Sequence, residues 1–327
     1  MLPDIITYSL LFAVGYIAIY LLADYIIDTL EEISESFSIS PIVLGLLILG
    51  IDLEEGIVSL TAAVEGLPYL ALGNLIGNTV IAIGIAFGLP ALYLKAEIDQ
   101  LPRFYYVLLV GSGGIVLLSM VLPSYLLLFG LFCMALFTIY LAYTIQIHKE
   151  FKSVHSDAKQ TELALDQNEN RDEEPRNENR LWSAIKLLLA LSILFVGAEA
   201  LVFSAEKIVQ LTGLTQTFFG LVIMAAVTNV EEFWLIVKSI KKDRTEIGVS
   251  AQVGKIIWNL TLIYGLCSLF LYQFTFDVTM LLSSIIFIIA LMFLSVNLFQ
   301  NRSTKVAGLG YLLLLIIFIA LNSILAF

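Results

Sequence analysis

GIDLEEGIVSL (residues 50–60) and VTNVEEFWLIV (residues 227–237) share one signature: two adjacent glutamates in the middle of a run otherwise apolar enough to lie in a membrane. A carboxylate at that depth costs at least a few kcal/mol unless it faces a water-filled cavity, a cation or a proton. The correspondence extends outward. Upstream, LLADYIIDTLEEISESFSISPIVLG (21–45) matches VGAEALVFSAEKIVQLTGLTQTFFG (196–220), with Asp24 opposite Glu199, Thr29 opposite Ser204 and Ser40 opposite Thr215. Downstream, LALGNLIGNTVIAIG (70–84) faces IGVSAQVGKIIWNLT (247–261), which sets Gly77 against Gly254. Two residues are missing from the first copy just ahead of Gly50. The chain therefore reads as a duplication.

Hydrophobic residues make up 59% of the 327, and the mean hydropathy is +0.94. Soluble domains hold about 45–50% apolar residues, so lipid is the solvent for most of this chain. Apolar runs of about 20 residues, the length that crosses a hydrocarbon core of about 30 Å, recur along it. Ten spans are expected, at 4–30, 39–64, 69–94, 104–121, 124–147, 181–210, 216–240, 247–272, 277–299 and 306–326. The predicted fold class is an all-α polytopic membrane protein with ten transmembrane helices in two inverted five-helix repeats, residues 1–147 and 181–327. Five helices per half reverse the sense of the second copy, the plan of secondary transporters whose site lies near mid-membrane where the repeats meet.

Residues 148–180 join the halves. Their low hydrophobicity and dense charge predict a disordered cytoplasmic tether without the Asp/Asn/Gly spacing of a calcium loop. Lys and Arg decide the orientation. With both termini outside, fifteen of the seventeen basic residues fall on the cytoplasmic side, leaving Lys207 outside and Lys255 within a helix. Met1 to Asp4 carries no basic residue and the first apolar run is long, so the first helix is expected to be retained rather than cleaved. The expected location is the plasma membrane of a prokaryote.

The side chains narrow the chemistry. Both histidines, His148 and His155, lie in the polar loop and both cysteines, Cys133 and Cys267, lie in apolar spans, which argues against a zinc cage, a disulfide framework or an intramembrane metallohydrolase. The formal charge of −11 belongs mostly to loops and helix ends and points to no nucleic-acid partner. What remains is a set of oxygen donors at mid-span. Glu54, Glu55, Glu231 and Glu232 are flanked by Asp52 and by Thr228 and Asn229, and carboxylates, amides and carbonyls suit hard cations such as Ca²⁺, Mg²⁺ or Na⁺. Neighbours on a helix point about 100° apart, so one glutamate of each pair faces the opposite half squarely. Helix breaks are expected at 50–53 and 226–229, where freed carbonyls face the ions. Five carboxylates crowded in a poorly solvated region favour retained protons on some of them, which makes H⁺ a candidate counter-ion beside Na⁺.

At these residues the chain resembles the sodium/calcium exchanger family of calcium/cation antiporters, whose two repeats carry motifs of the form GTSxPE and GNxxGSNxxN. GLTQTFFGLVIMAAVTNVEE (213–232) and LALGNLIG (70–77) carry the likeness, which covers essentially the whole chain. The resemblance implies that Glu55 and Glu232 are the two central cation-binding glutamates. It implies that Thr228 is the motif threonine of the second copy and that Asn259 is a polar ligand late in its second helix. It further implies antiport of Na⁺ or H⁺ against a divalent cation, Ca²⁺ or Mg²⁺, by alternating exposure of one site, with no cofactor and with the bilayer and inorganic cations as partners.

The departures fall on ligand positions. Glu54 and Glu231 replace the motif prolines, Ile51 replaces the first threonine, and Asp52 and Asn229 replace the serines. Ala82 replaces an asparagine, and the serine after the second-helix glycine is Asn78 in one half and Lys255 in the other. Lys255 is either a tethered cation standing where a transported one would bind or a counter-ion to a surplus glutamate. An ion-binding or sensing homologue without transport and a cation channel are the alternatives to antiport.

Overall fold

The computed structural model describes residues 3–18, 21, 43, 46–47, 50–93, 101–163, 180–241, 245–271, 274–300 and 304–326. Every regular element among them is helical: α1 (Pro3–Ala18), α2 (Leu53–Val64), α3 (Pro68–Tyr93), α4 (Arg103–Val121), α5 (Leu126–Leu163), α6 (Arg180–Thr212), α7 (216–228), α8 (Val230–Lys241), α9 (Thr245–Phe270), α10 (Val278–Phe299) and α11 (Lys305–Ile324). Among the described residues six helical stretches, 68–93, 103–121, 123–147, 245–270, 278–299 and 305–324, are long and apolar enough to cross a membrane. Asp24, Thr29 and Ser40 lie outside the described residues, as do most of the first span beyond α1 and most of the second ahead of Gly50.

Local chemistry sets the helix ends. Asp52, Thr215, Asp277 and Thr304 are N-caps, each accepting a backbone N–H two or three residues into its helix, at Glu55 (3.2 Å), Phe218 (3.2 Å), Met280 (2.7 Å) and Ala307 (3.2 Å). Helix α2 stops at Gly66, whose φ of +72° only glycine adopts without strain. There Leu67 N–H bonds to Ala62 O and Gly66 N–H to Ala63 O, which closes the end in a Schellman motif.

Helices α3 and α9 are the centre of the molecule: 78% and 72% of their apolar windows are buried, against 22% for 123–147. The outer helices turn Val107, Phe132, Ile285, Met292, Leu309 and Ile316 outward, as a lipid-facing surface requires. Close crossings of backbone on backbone hold the centre. Gly73 and Gly77 of α3 pack on Gly220 and Leu221 of α7, and Gly254 of α9 packs on Leu46 and Gly50. Glycine at each crossing is the packing device expected of helices that lack a hydrophobic drive to associate.

Three π-helical turns interrupt the central elements, at Ile83–Gly88, Phe219–Met224 and Asn259–Ile263, with a fourth stretch at 46–47. A π turn shifts the backbone bonding pattern and frees carbonyls. At Leu46 the donor is Tyr140, whose buried hydroxyl donates to Leu46 O at 2.6 Å. Tyr140→Phe should lower stability by about 1–3 kcal/mol, the cost of a buried carbonyl left without its donor. Thermal unfolding in detergent reads this, and an unchanged midpoint would show that Leu46 finds another donor.

One expectation is corrected. The disordered tether predicted for 148–180 is helical over its first part, because α5 runs on to Leu163. Charge and polarity remove the drive to bury a segment but not its helix propensity, and Lys, Glu, Gln, Ala and Leu are good helix formers. Residues 164–179 lie outside the described residues, and α6 resumes at Arg180.

Candidate cation site

The two expected breaks are present. Residues 50–52 leave helical geometry before α2 begins at Leu53, and Asn229, at φ −87° and ψ 3°, separates α7 from α8. Asp52 is the hinge of the first break. Its Oδ1 accepts Glu55 N–H at 3.2 Å, while its Oδ2 accepts Nδ2 of Asn259 at 2.6 Å and faces Lys255 Nζ at 3.3 Å. One carboxylate thus caps α2 and ties it to α9, 207 positions along the chain.

The first glutamate pair follows within the same turn. Glu54 is 3% exposed and Glu55 fully buried, so both members of the pair are enclosed rather than one facing in and one out. Helix α2 packs against α3, α6 and α9, and although Glu54 and Glu55 point about 100° apart neither reaches the surface. A helix N-terminus also favours negative charge over its first turn. Among the described residues, which leave out the side chains of Glu231 and Glu232, no three His, Cys, Asp or Glu side chains come together as a metal cage.

Amides make up the difference. Asn74, Asn229 and Asn259 are fully buried and Gln252 and Asn78 are 1% exposed. Three of them donate through their side-chain N–H groups: Asn74 to Ser59 Oγ at 3.1 Å, Asn259 to Asp52, and Asn229 to Ala225 O at 2.7 Å and to Asn78 O at 3.4 Å. The carbonyl oxygens of Asn74, Gln252, Asn229 and Asn259 have no donor among the described residues. A buried acceptor without a donor is costly, and four of them on α3, α7–α8 and α9 need an explanation. Oxygen atoms aimed inward with no protein hydrogen to accept are what a hard cation uses as ligands.

Of the residues read from sequence, Asp52, Lys255 and Asn259 meet in space, and Asn78 meets Asn229. The backbone of Thr228, Glu231 and Glu232 is helical, and their side chains lie outside the described residues. Lys255 is paired with an aspartate, Asp52, where the sequence pointed to a surplus glutamate as the partner in its counter-ion reading. Sequence reading missed Gln252 and Ser59. Helical spacing signals them: Gln252, Lys255 and Asn259 recur at i, i+3 and i+7, as do Asp52, Glu55 and Ser59, so each set lines one face.

Comparison with known proteins agrees with this architecture. A family model described as sodium/calcium exchanger protein matches residues 7–146 and 182–324. An uncharacterized membrane protein of Methanocaldococcus jannaschii is 24% identical over 318 residues, covering 96% of each chain. Inner membrane protein YrbG of Escherichia coli is 25% identical over 265 residues, covering 79% of this chain and 78% of its own. Among solved structures, the sodium-calcium exchanger NCX_Mj aligns over 97% of this chain and 98% of its own, with a TM-score of 0.59 at 21% identity, a likeness of fold.

Proposed function

The chain belongs to the sodium/calcium exchanger protein family, a family of membrane cation antiporters, and from that membership we propose that it exchanges a divalent cation, Ca²⁺ or Mg²⁺, for Na⁺ or H⁺. The exchange runs by alternating access at a central site of carboxylates and amides. The observation that carries the reading is the set of buried carbonyl oxygens without donors, on Asn74, Gln252, Asn229 and Asn259, beside the enclosed Glu54 and Glu55. Glu55 and Glu232 are the central ligands, with Asp52, Glu54, Glu231, Asn78, Thr228, Asn229 and Asn259 around them. Ca²⁺ is the first choice. It sheds water readily into a flexible, oxygen-lined pocket, whereas Mg²⁺ keeps several waters and demands octahedral geometry.

Ten helices in two inverted repeats, 1–147 and 181–327, remain the architecture we favour. Two reciprocal features support it: the first-half helix α3 crosses the π turn of α7 at Gly77, and the second-half helix α9 crosses the stretch around Leu46 at Gly254. The π turns also recur at equivalent places, Ile83–Gly88 with Asn259–Ile263 and 46–47 with Phe219–Met224. Such halves rock about a fixed mid-membrane site, which favours antiport over a channel. The positive-inside bias places both termini outside and the 148–180 segment in the cytoplasm of a prokaryotic cell.

Counter-ion flux tests this reading. Proteoliposomes loaded with Na⁺, or buffered acid inside, should take up Ca²⁺ from outside only when the outward gradient is present, and uptake should saturate. Uptake that needs no counter-gradient would mean a channel. Calorimetric Ca²⁺ binding with no flux would mean a sensor.

A further inference from the structure

Lys255 places an ammonium inside the candidate site. Its residue is 6% exposed, on the buried face of α9 between Gln252 one turn before it and Asn259 one turn after. Nothing about packing asks for a charge there, since an apolar residue would fill the same space without desolvation, and an unpaired ammonium in hydrocarbon is costly. The charge has a seat. Lys255 Nζ lies 3.3 Å from Oδ2 of Asp52, itself 3% exposed, and the other ties on that carboxylate hold it still: Asn259 Nδ2 at 2.6 Å and the Glu55 N–H at 3.2 Å.

Two features make this pair more than a neutral staple. First, the same oxygen that faces the ammonium accepts from Asn259, whose own carbonyl has no donor among the described residues, so the ammonium stands in the oxygen-lined region itself. Second, the two halves are unlike at this point. LALGNLIGNT aligned on IGVSAQVGKI places the neutral Asn78 where the second half carries Lys255, so one charge is added on one side of the duplication only.

We infer that the Lys255 ammonium is a resident monovalent cation, seated on Asp52 in place of one that would otherwise be bound and carried. Charge balances within the pair, which contributes one positive and one negative charge. Each cycle then moves one monovalent ion fewer than it would with a neutral residue at 255. The inference rests on the cation-site reading above, but its test does not require transport.

The test counts bound Na⁺ through stability. A ligand that binds only the folded state raises stability with its own concentration, and the steepness of that rise counts the ions bound. The full chain in detergent is unfolded thermally across a Na⁺ series, with choline holding ionic strength constant, for wild type, Lys255→Ser and Lys255→Arg. The expected result is a Na⁺ dependence steeper by one ion in Lys255→Ser and unchanged in Lys255→Arg. Equal slopes in Lys255→Ser and wild type would overturn the inference.

If Lys255→Ser cannot be isolated, the near-isosteric Lys255→Gln takes its place: a Na⁺ dependence steeper by one ion than wild type is expected, and an unchanged slope would overturn the inference. Absence of counter-ion-dependent flux in wild-type liposomes would sink the antiport reading instead and leave this ion count readable.

Discussion

Glu55→Gln should lower Ca²⁺ exchange in proteoliposomes by about a hundredfold or more while the protein still folds. The replacement is nearly isosteric and leaves the backbone N–H that Asp52 caps untouched, so α2 keeps its start. What changes is one negative charge on a fully buried side chain. Removing one partner from a buried charged interaction costs about 3–5 kcal/mol. At 1.4 kcal/mol per tenfold, that is about two to three and a half orders of magnitude in cation affinity. Flux is compared with the unfolding midpoint measured without divalent ions. Exchange within a few-fold of wild type would remove Glu55 from the site.

The second large effect is steric. Gly77→Ala should destabilise the protein by about 3 kcal/mol or more, at the upper end of what overpacking costs. A Cβ on Gly77 would fall inside the van der Waals envelope of the Leu221 backbone, with its carbonyl oxygen nearest, and backbone cannot rotate away as a side chain can. Gly254→Ala should behave alike, because its Cβ would lie 2.5 Å from Leu46 O. Gly111→Ala is the control. Its Cβ meets nothing within 4 Å, its helix is regular, and the change should be neutral or slightly stabilising. Unfolding midpoints of the four proteins decide the matter. A Gly77→Ala midpoint equal to that of Gly111→Ala would mean that α3 and α7 cross at a greater distance.

These two predictions draw on different layers of information. Glu55 is legible in the sequence because an acid inside an apolar run is conspicuous whatever the fold, and the pairing of GIDLEEG with VTNVEEF marks it twice. The breaks at 50–52 and 229 were legible for a related reason, since short polar stretches interrupt a run that is otherwise continuous. The glycines of α3 and α9 are visible in the sequence, but what they pack on is not. Gly77 meets Leu221 and Gly254 meets Leu46, pairings between distant segments. The amides were nearly silent. Asn74 and Gln252 each look like single tolerated polar residues, and they matter only because Ser59 takes the Asn74 N–H while no donor reaches either carbonyl oxygen.

The tether shows the opposite failure. Low hydrophobicity in 148–163 says that the segment has no core to join, a statement about burial, whereas helix formation there depends on local backbone propensity.

Sequence alone determined that this chain is a membrane protein, roughly where its long apolar helices lie, and that pairs of acids interrupt apolar runs. Those are one-dimensional properties, set by span length and by the cost of charge in hydrocarbon, and they do not depend on which helix neighbours which. Only the tertiary structure decided that Asp52 is the partner of both Lys255 and Asn259, that both Glu54 and Glu55 are enclosed, and that the surplus acceptors are amides. Those depend on contacts across some 207 positions, made by close helix crossings whose geometry no local pattern encodes.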